Sequence, residues 1–179
     1  MGPIEIVWGT VVLFFAIAGL VRGYARELGA TLVILVAMFV LTQFGGAVLR
    51  ILSPGVASTV GIKETSTDLN LLNMLLMQGA FVVIIFAAYQ GETLAVEGRS
   101  AHGPEGAVLS LALGLINGYL VAGTLWYFLD HYKYPVGSLF KPPLSPLAEA
   151  IIPYLPPNVL GPAALLALIA LMVLLRIRR

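Results

Sequence analysis

The stretch GLVRGYARELG (19–29) carries Arg22, Arg26 and Glu27 in the middle of a strongly apolar chain. Two chemistries are open to them. Arginines at a membrane boundary extend along their stems to reach lipid phosphates, and Arg26 with Glu27 could be presented to a lipid headgroup or a protein partner. The plainer alternative is a tight turn between antiparallel helices. Gly23 permits a left-handed or strained backbone there, Arg22 complements the negative end of the first helix, and Glu27 the positive end of the second.

Elsewhere, residues fit for chemistry are sparse. His102-Gly-Pro-Glu105 has a ligand-like spacing, but Gly-Pro breaks the helix that would align the pair, and two ligands fall short of a metal site. The other histidine, His131, is expected on the opposite membrane face, so the two cannot share a metal. The sequence contains no GxSxG elbow, HExxH pair or P-loop lysine. With no cysteine there is no disulfide, iron–sulfur cluster or thiol nucleophile. A net charge of +1 gives no basic field for nucleic acid. These observations predict a protein that is not an enzyme and holds no cofactor or metal.

Of the 179 residues, 59% are hydrophobic and 11% charged, against roughly 25% charged in soluble domains. The lipid bilayer is therefore the expected environment. The N-terminus MGPIEIVWG has no basic flank and no cleavage site follows, which predicts that the first apolar segment stays as an anchor. About 20 apolar residues cross the hydrocarbon core as a helix. Five segments approach that length: Ile4 to Val21, about Leu28 to Leu52, about Leu69 to Tyr89, about Ala107 to Leu129, and a shorter one from about Leu160 to Leu175.

Water-facing connections are expected at 53–68, 90–106 and 130–158. Within the last, SPLAEAIIPYLPP (145–157) predicts a short interfacial helix capped by Ser145, with Leu147, Ile151 and Leu155 on one face. The fold class is thus all-α, a polytopic helical membrane protein of about five transmembrane helices plus that short helix. Residues 1–158 form the core and 159–179 an additional helix with a basic tail. An outward N-terminus places Arg22, Arg26, Arg99, Arg176, Arg178 and Arg179 on the cytoplasmic side. Arg50, Lys63, Lys133 and Lys141 then lie outside, and the positive-inside rule favours this orientation.

GLVRGY (19–24) has an echo in GLINGY (114–119). Both copies hold a small-xxx-small pair, Gly19/Gly23 and Gly114/Gly118, and Ser110 extends the second; such faces let membrane helices approach closely. Spans one and four would run in opposite directions, as in an inverted repeat, though independent packing glycines explain the same match. Asn117 falls at membrane depth in the fourth span, and Asn70, Asn73 and Gln78 in the third. Interhelical hydrogen bonds are their expected role. Charged residues fall at span ends, which argues against an ion pathway.

The pattern G-x-x-R-G-x-x-R-E, filled by Gly19, Arg22, Gly23, Arg26 and Glu27, resembles the first hairpin of the colicin V production protein family of bacterial inner-membrane proteins. That family's fourth span has a G-x3-G-x2-R-G pattern and ends Leu-Asp; here stand Ser110, Gly114, Asn117 and Gly118, then Leu129-Asp130. SPLAEAIIPYLP is similar to the Ser-x-Leu-rich segment that follows it. The resemblance runs in order through most of residues 5 to 157. Asn117 replaces the second arginine, and the fifth span adds to the usual four-helix plan. The resemblance implies a non-enzymatic accessory or scaffold role in toxin production, export or envelope physiology, with membrane protein partners or a homo-oligomer. Alternatives are a small subunit of a larger membrane complex, for example an energy-converting one, and an inverted-repeat transporter.

Overall fold

The computed structural model describes residues 4–61, 66–90, 103–136, 140 and 144–177. Four helices dominate: α1 (Ile4–Arg22), α2 (Tyr24–Val60), α3 (Ser66–Gln90) and α4 (Pro104–His131). Two short helices, α5 (Pro146–Ile151) and α6 (Pro156–Val159), flank a 3₁₀ turn, and α7 (Pro162–Ile177) closes the described chain. The first four are long and apolar enough to cross a membrane. The fold is all-α among the described residues, and the chain is a membrane protein. Arg99, His102, Lys63, Lys141, Arg178 and Arg179 lie outside the described residues.

The helices are apolar nearly all round, and where α1 meets α4 what separates the faces is side-chain size. Along α4 the buried positions include Ser110, Gly114, Asn117, Gly118 and Ala122, whereas Val108, Leu109, Leu115 and Ile116 are exposed. On α1, Ala16 and Gly19 are buried while Leu13, Phe14, Ile17 and Val21 face outward. In lipid, apolar side chains gain nothing by leaving the surface, so helices associate through small residues that allow close packing.

The seam between α1 and α4 shows how close. A Cβ on Gly19 would lie 2.6 Å from the Ser110 carbonyl, one on Gly114 2.6 Å from the Phe15 carbonyl, and one on Gly118 2.8 Å from Val12 Cα. The pairings run in opposite chain directions, so the two helices are antiparallel and nearly backbone to backbone. A core of Ile34, Met38, Phe81, Ile85, Val121 and Phe128 joins α2, α3 and α4, and Leu165 brings α7 onto it.

Three expectations need correction. The second span was expected to end near Leu52 with residues 53–68 as a connection, but α2 continues through Pro54 to Val60 and stops at Gly61, whose φ of 71° is left-handed. Pro54 at an interior position forfeits one helical hydrogen bond, a cost that does not break the helix here. Gly23 does not serve the expected helix packing, since among the described residues nothing lies within 4 Å of a Cβ placed there. Its φ of 84° and ψ of 157° belong to a backbone region essentially restricted to glycine, and this single residue separates α1 from α2. Finally, Leu147 does not share the buried face of the short segment: Ala148 and Leu155 are buried and Leu147 is exposed.

That segment folds against one end of the bundle. Ser145 caps α5, accepting from Ala148 N at 3.0 Å and donating to Glu5 Oε1 at 2.7 Å. Gly123 leaves room on α4 for Pro156, with which a Cβ would collide. The end of α4 is closed by paired bonds from Lys133 N to Asp130 O and Tyr134 N to Leu129 O, both 2.9 Å, with Lys133 in the left-handed region at φ 62°. Burial pushes the Tyr134 hydroxyl up to about 12, where it accepts from Trp126 Nε1 at 3.1 Å.

Two substitutions test the seam. Gly114→Ala should lower stability by about 1–3 kcal/mol, the range of overpacking, when thermal unfolding is followed in mild detergent. Gly46→Ala, with open space around its Cβ, should be neutral or stabilising by roughly 0.5–1 kcal/mol. Equal effects at the two positions would show that close approach does not limit the α1–α4 seam.

Candidate functional site: a buried carboxylate shared by four helices

Glu27 sits in the first turn of α2, at the positive end of the helix dipole. Its side chain is 0% exposed, and it is the one charged side chain fully buried among the described residues. An uncompensated charge there would be prohibitively costly, so its partners are decisive.

They come from three other helices. Arg22 of α1 donates from Nη1 to Oε1 at 2.7 Å. Tyr89 of α3 donates its hydroxyl to Oε2 at 2.9 Å, and Asn117 of α4 donates Nδ2 to the same oxygen at 2.7 Å. A carboxylate only accepts, so the amide nitrogen of Asn117 must face it and the amide oxygen must point away. That oxygen meets the Thr31 hydroxyl at 2.7 Å. Thr31, one turn along α2, also lies 2.9 Å from the Glu27 carbonyl, so its single proton serves two acceptors. Asn117 Nδ2 reaches that carbonyl as well, at 3.1 Å.

The arginine is held twice. Its guanidinium lies 4.0 Å over the Tyr89 ring and Nη2 donates to the Tyr89 carbonyl at 3.3 Å. Phe15 packs edge-on against the same ring at 5.4 Å.

This geometry corrects the expectation that Glu27 is presented to a headgroup or a partner. Arg22 and Glu27 do stand at span ends, as expected, one in the last turn of α1 and the other in the first turn of α2. The first turn of α2 points into the bundle, because Gly23 redirects the chain within one residue and Ala30 and Ile34 continue the buried face. Arg22 is turned inward to Glu27 with 18% of its side chain exposed, and Arg26 is exposed. Ser110, Gly114 and Gly118 lie on the α1 seam, and Asn117 faces Glu27 from between them. Among the third-span amides, Gln78 bonds the Leu125 carbonyl of α4 at 3.0 Å, whereas Asn73 Oδ1 has no hydrogen-bond partner among the described residues. His131 is exposed and stacks on Tyr127 at the far end of α4.

Sequence reasoning missed Tyr89 and Thr31. Tyr89 at a span end reads as an interfacial aromatic, and nothing local marks it as a donor to Glu27. Thr31 had a signal, its i+4 spacing from Glu27. Fold and site together define an all-α integral membrane protein whose helices share one buried polar cluster. Compared with protein-family models, curated proteins and solved structures, the chain matches none.

Glu27→Ala should be among the most destabilising substitutions in the chain. It strands Arg22, Tyr89 and Asn117 together, and breaking a buried pair costs about 3–5 kcal/mol. Glu27→Gln keeps one acceptor oxygen and should cost clearly less. If unfolding in detergent shows both variants within error of the wild type, the cluster does not hold the helices.

Proposed function

We propose that this chain is a non-enzymatic scaffold of the bacterial inner membrane, of the colicin V production type, serving toxin production or export or the physiology of the envelope. The observation that carries the reading is how the signature residues are used. Gly19 packs on α4, Gly23 makes the elbow, and Arg22 and Glu27 bind each other; Arg26 is the signature residue left exposed. A motif spent on joining helices suits a protein that holds a shape for partners, and Arg26 then offers a charge for docking. With the N-terminus outside, as the arginine and lysine distribution favours, Arg26 faces the cytoplasm.

A second reading, a small subunit of a larger membrane complex, is favoured by α7. That helix packs chiefly on α2 and leaves Leu166, Leu171, Leu174 and Leu175 exposed. Extraction in mild detergent separates the two. A scaffold should migrate as a monomer or small homo-oligomer with partners lost or substoichiometric, whereas a subunit should co-migrate with fixed partners at one large size. Arg26→Glu should leave the melting temperature unchanged and lower the recovery of co-purifying chains. Unchanged recovery would remove Arg26 from the docking surface.

A further inference from the structure

Between α1 and α3 runs a groove of about 490 Å³ with α4 as its floor. Phe14 and Ala18 line one wall, Val82 and Phe86 the other, and Val121 lies beneath. Phe14 and Phe86 are 67% and 64% exposed, so the groove opens toward lipid. Its polar lining is confined to one end, where Arg22, Tyr89 and Gln90 stand.

We propose that this groove is a binding site for one anionic phospholipid, an acyl chain lying along α1 and its phosphate at Arg22. Length and polarity carry the assignment. From Val11 to Arg22 the α1 wall spans about 16 Å at 1.5 Å per residue, close to half of the ~30 Å hydrocarbon core. That is the depth of one leaflet. A transmembrane helix, from another protein or a second copy, would need a groove continuing through both leaflets. A lipid from one leaflet needs what is found: an apolar trough closed by a cation at its interfacial end.

Arg22 has donors to spare. A guanidinium carries five N–H groups, and among the described residues Arg22 uses one for Glu27 from Nη1 and one for the Tyr89 carbonyl from Nη2, besides lying over the Tyr89 ring. Its remaining donors and its exposed fraction can serve a phosphate, for which the planar fork is well shaped. Glu27, buried on the inner side of the guanidinium, offsets the charge of Arg22, so Arg22 serves the phosphate through its free N–H donors. Arg26, exposed at the same end of the bundle, adds positive charge.

The test is native mass spectrometry of the full chain, solubilised in mild detergent and titrated with phosphatidylglycerol or phosphatidylcholine of identical acyl chains. One phospholipid should bind per chain, with phosphatidylglycerol preferred about fivefold, the effect of one arginine near the surface. Ala18→Phe, which fills the groove, should abolish binding while keeping the wild-type melting temperature. Val82→Phe on the opposite wall gives the same readout if Ala18→Phe misfolds. Retention of the lipid by a folded groove-filled variant would overturn the proposal, as would equal binding of the two lipids. A dimer that the groove-filling variants dissociate would also overturn it, since a second copy would then be the occupant.

Discussion

A carboxylate shut inside a helix bundle must be saturated by protein, because no water reaches it there, and this requirement at Glu27 organises the bundle. Its three donors stand on three helices, so each must be held in register for the charge to be tolerated. Neither half of this arrangement stands alone. The donors would otherwise be polar groups in hydrocarbon, and the acid would be an unpaired buried ion. Satisfying Glu27 therefore fixes α1, α3 and α4 around the first turn of α2.

The glycines make that convergence possible. Gly23 turns the chain in a single residue, which brings Arg22 and Glu27 within bonding distance across the elbow. Gly19, Gly114 and Gly118 let α1 and α4 approach until their backbones touch, which carries Asn117 to the same carboxylate. The echo of GLVRGY in GLINGY gains a physical meaning here. The fourth residue of each copy, Arg22 or Asn117, binds one oxygen of Glu27. An asparagine suits the second position, since one arginine already neutralises the acid and the amide also satisfies Thr31.

Much of the fold was legible in the sequence, because hydropathy over about 20 residues reports a spanning helix directly. The end of α2 was not, since Pro54 and the polar residues after it resemble a loop while the helix continues to Val60. The small-residue face of α4 was visible as spacing. Its partner was not, as periodicity shows which face packs and leaves open against what. The site was half legible: Arg22, Glu27 and Asn117 stood out by type, but Glu27 was read as exposed because its position beside a turn hides which way the turn of α2 points. Tyr89 carried no signal, being 62 residues from the acid it serves.

The bundle depends on cooperation between Glu27 and the helix facing it. A double-mutant cycle of Glu27→Gln and Asn117→Leu, with unfolding measured in detergent, tests this most directly. Coupling on the order of 1–2 kcal/mol, at the upper end for hydrogen bonds between membrane helices, is predicted. Additivity within about 0.3–0.5 kcal/mol would contradict it, and would mean that the α1–α4 seam and the apolar core hold the bundle without the carboxylate.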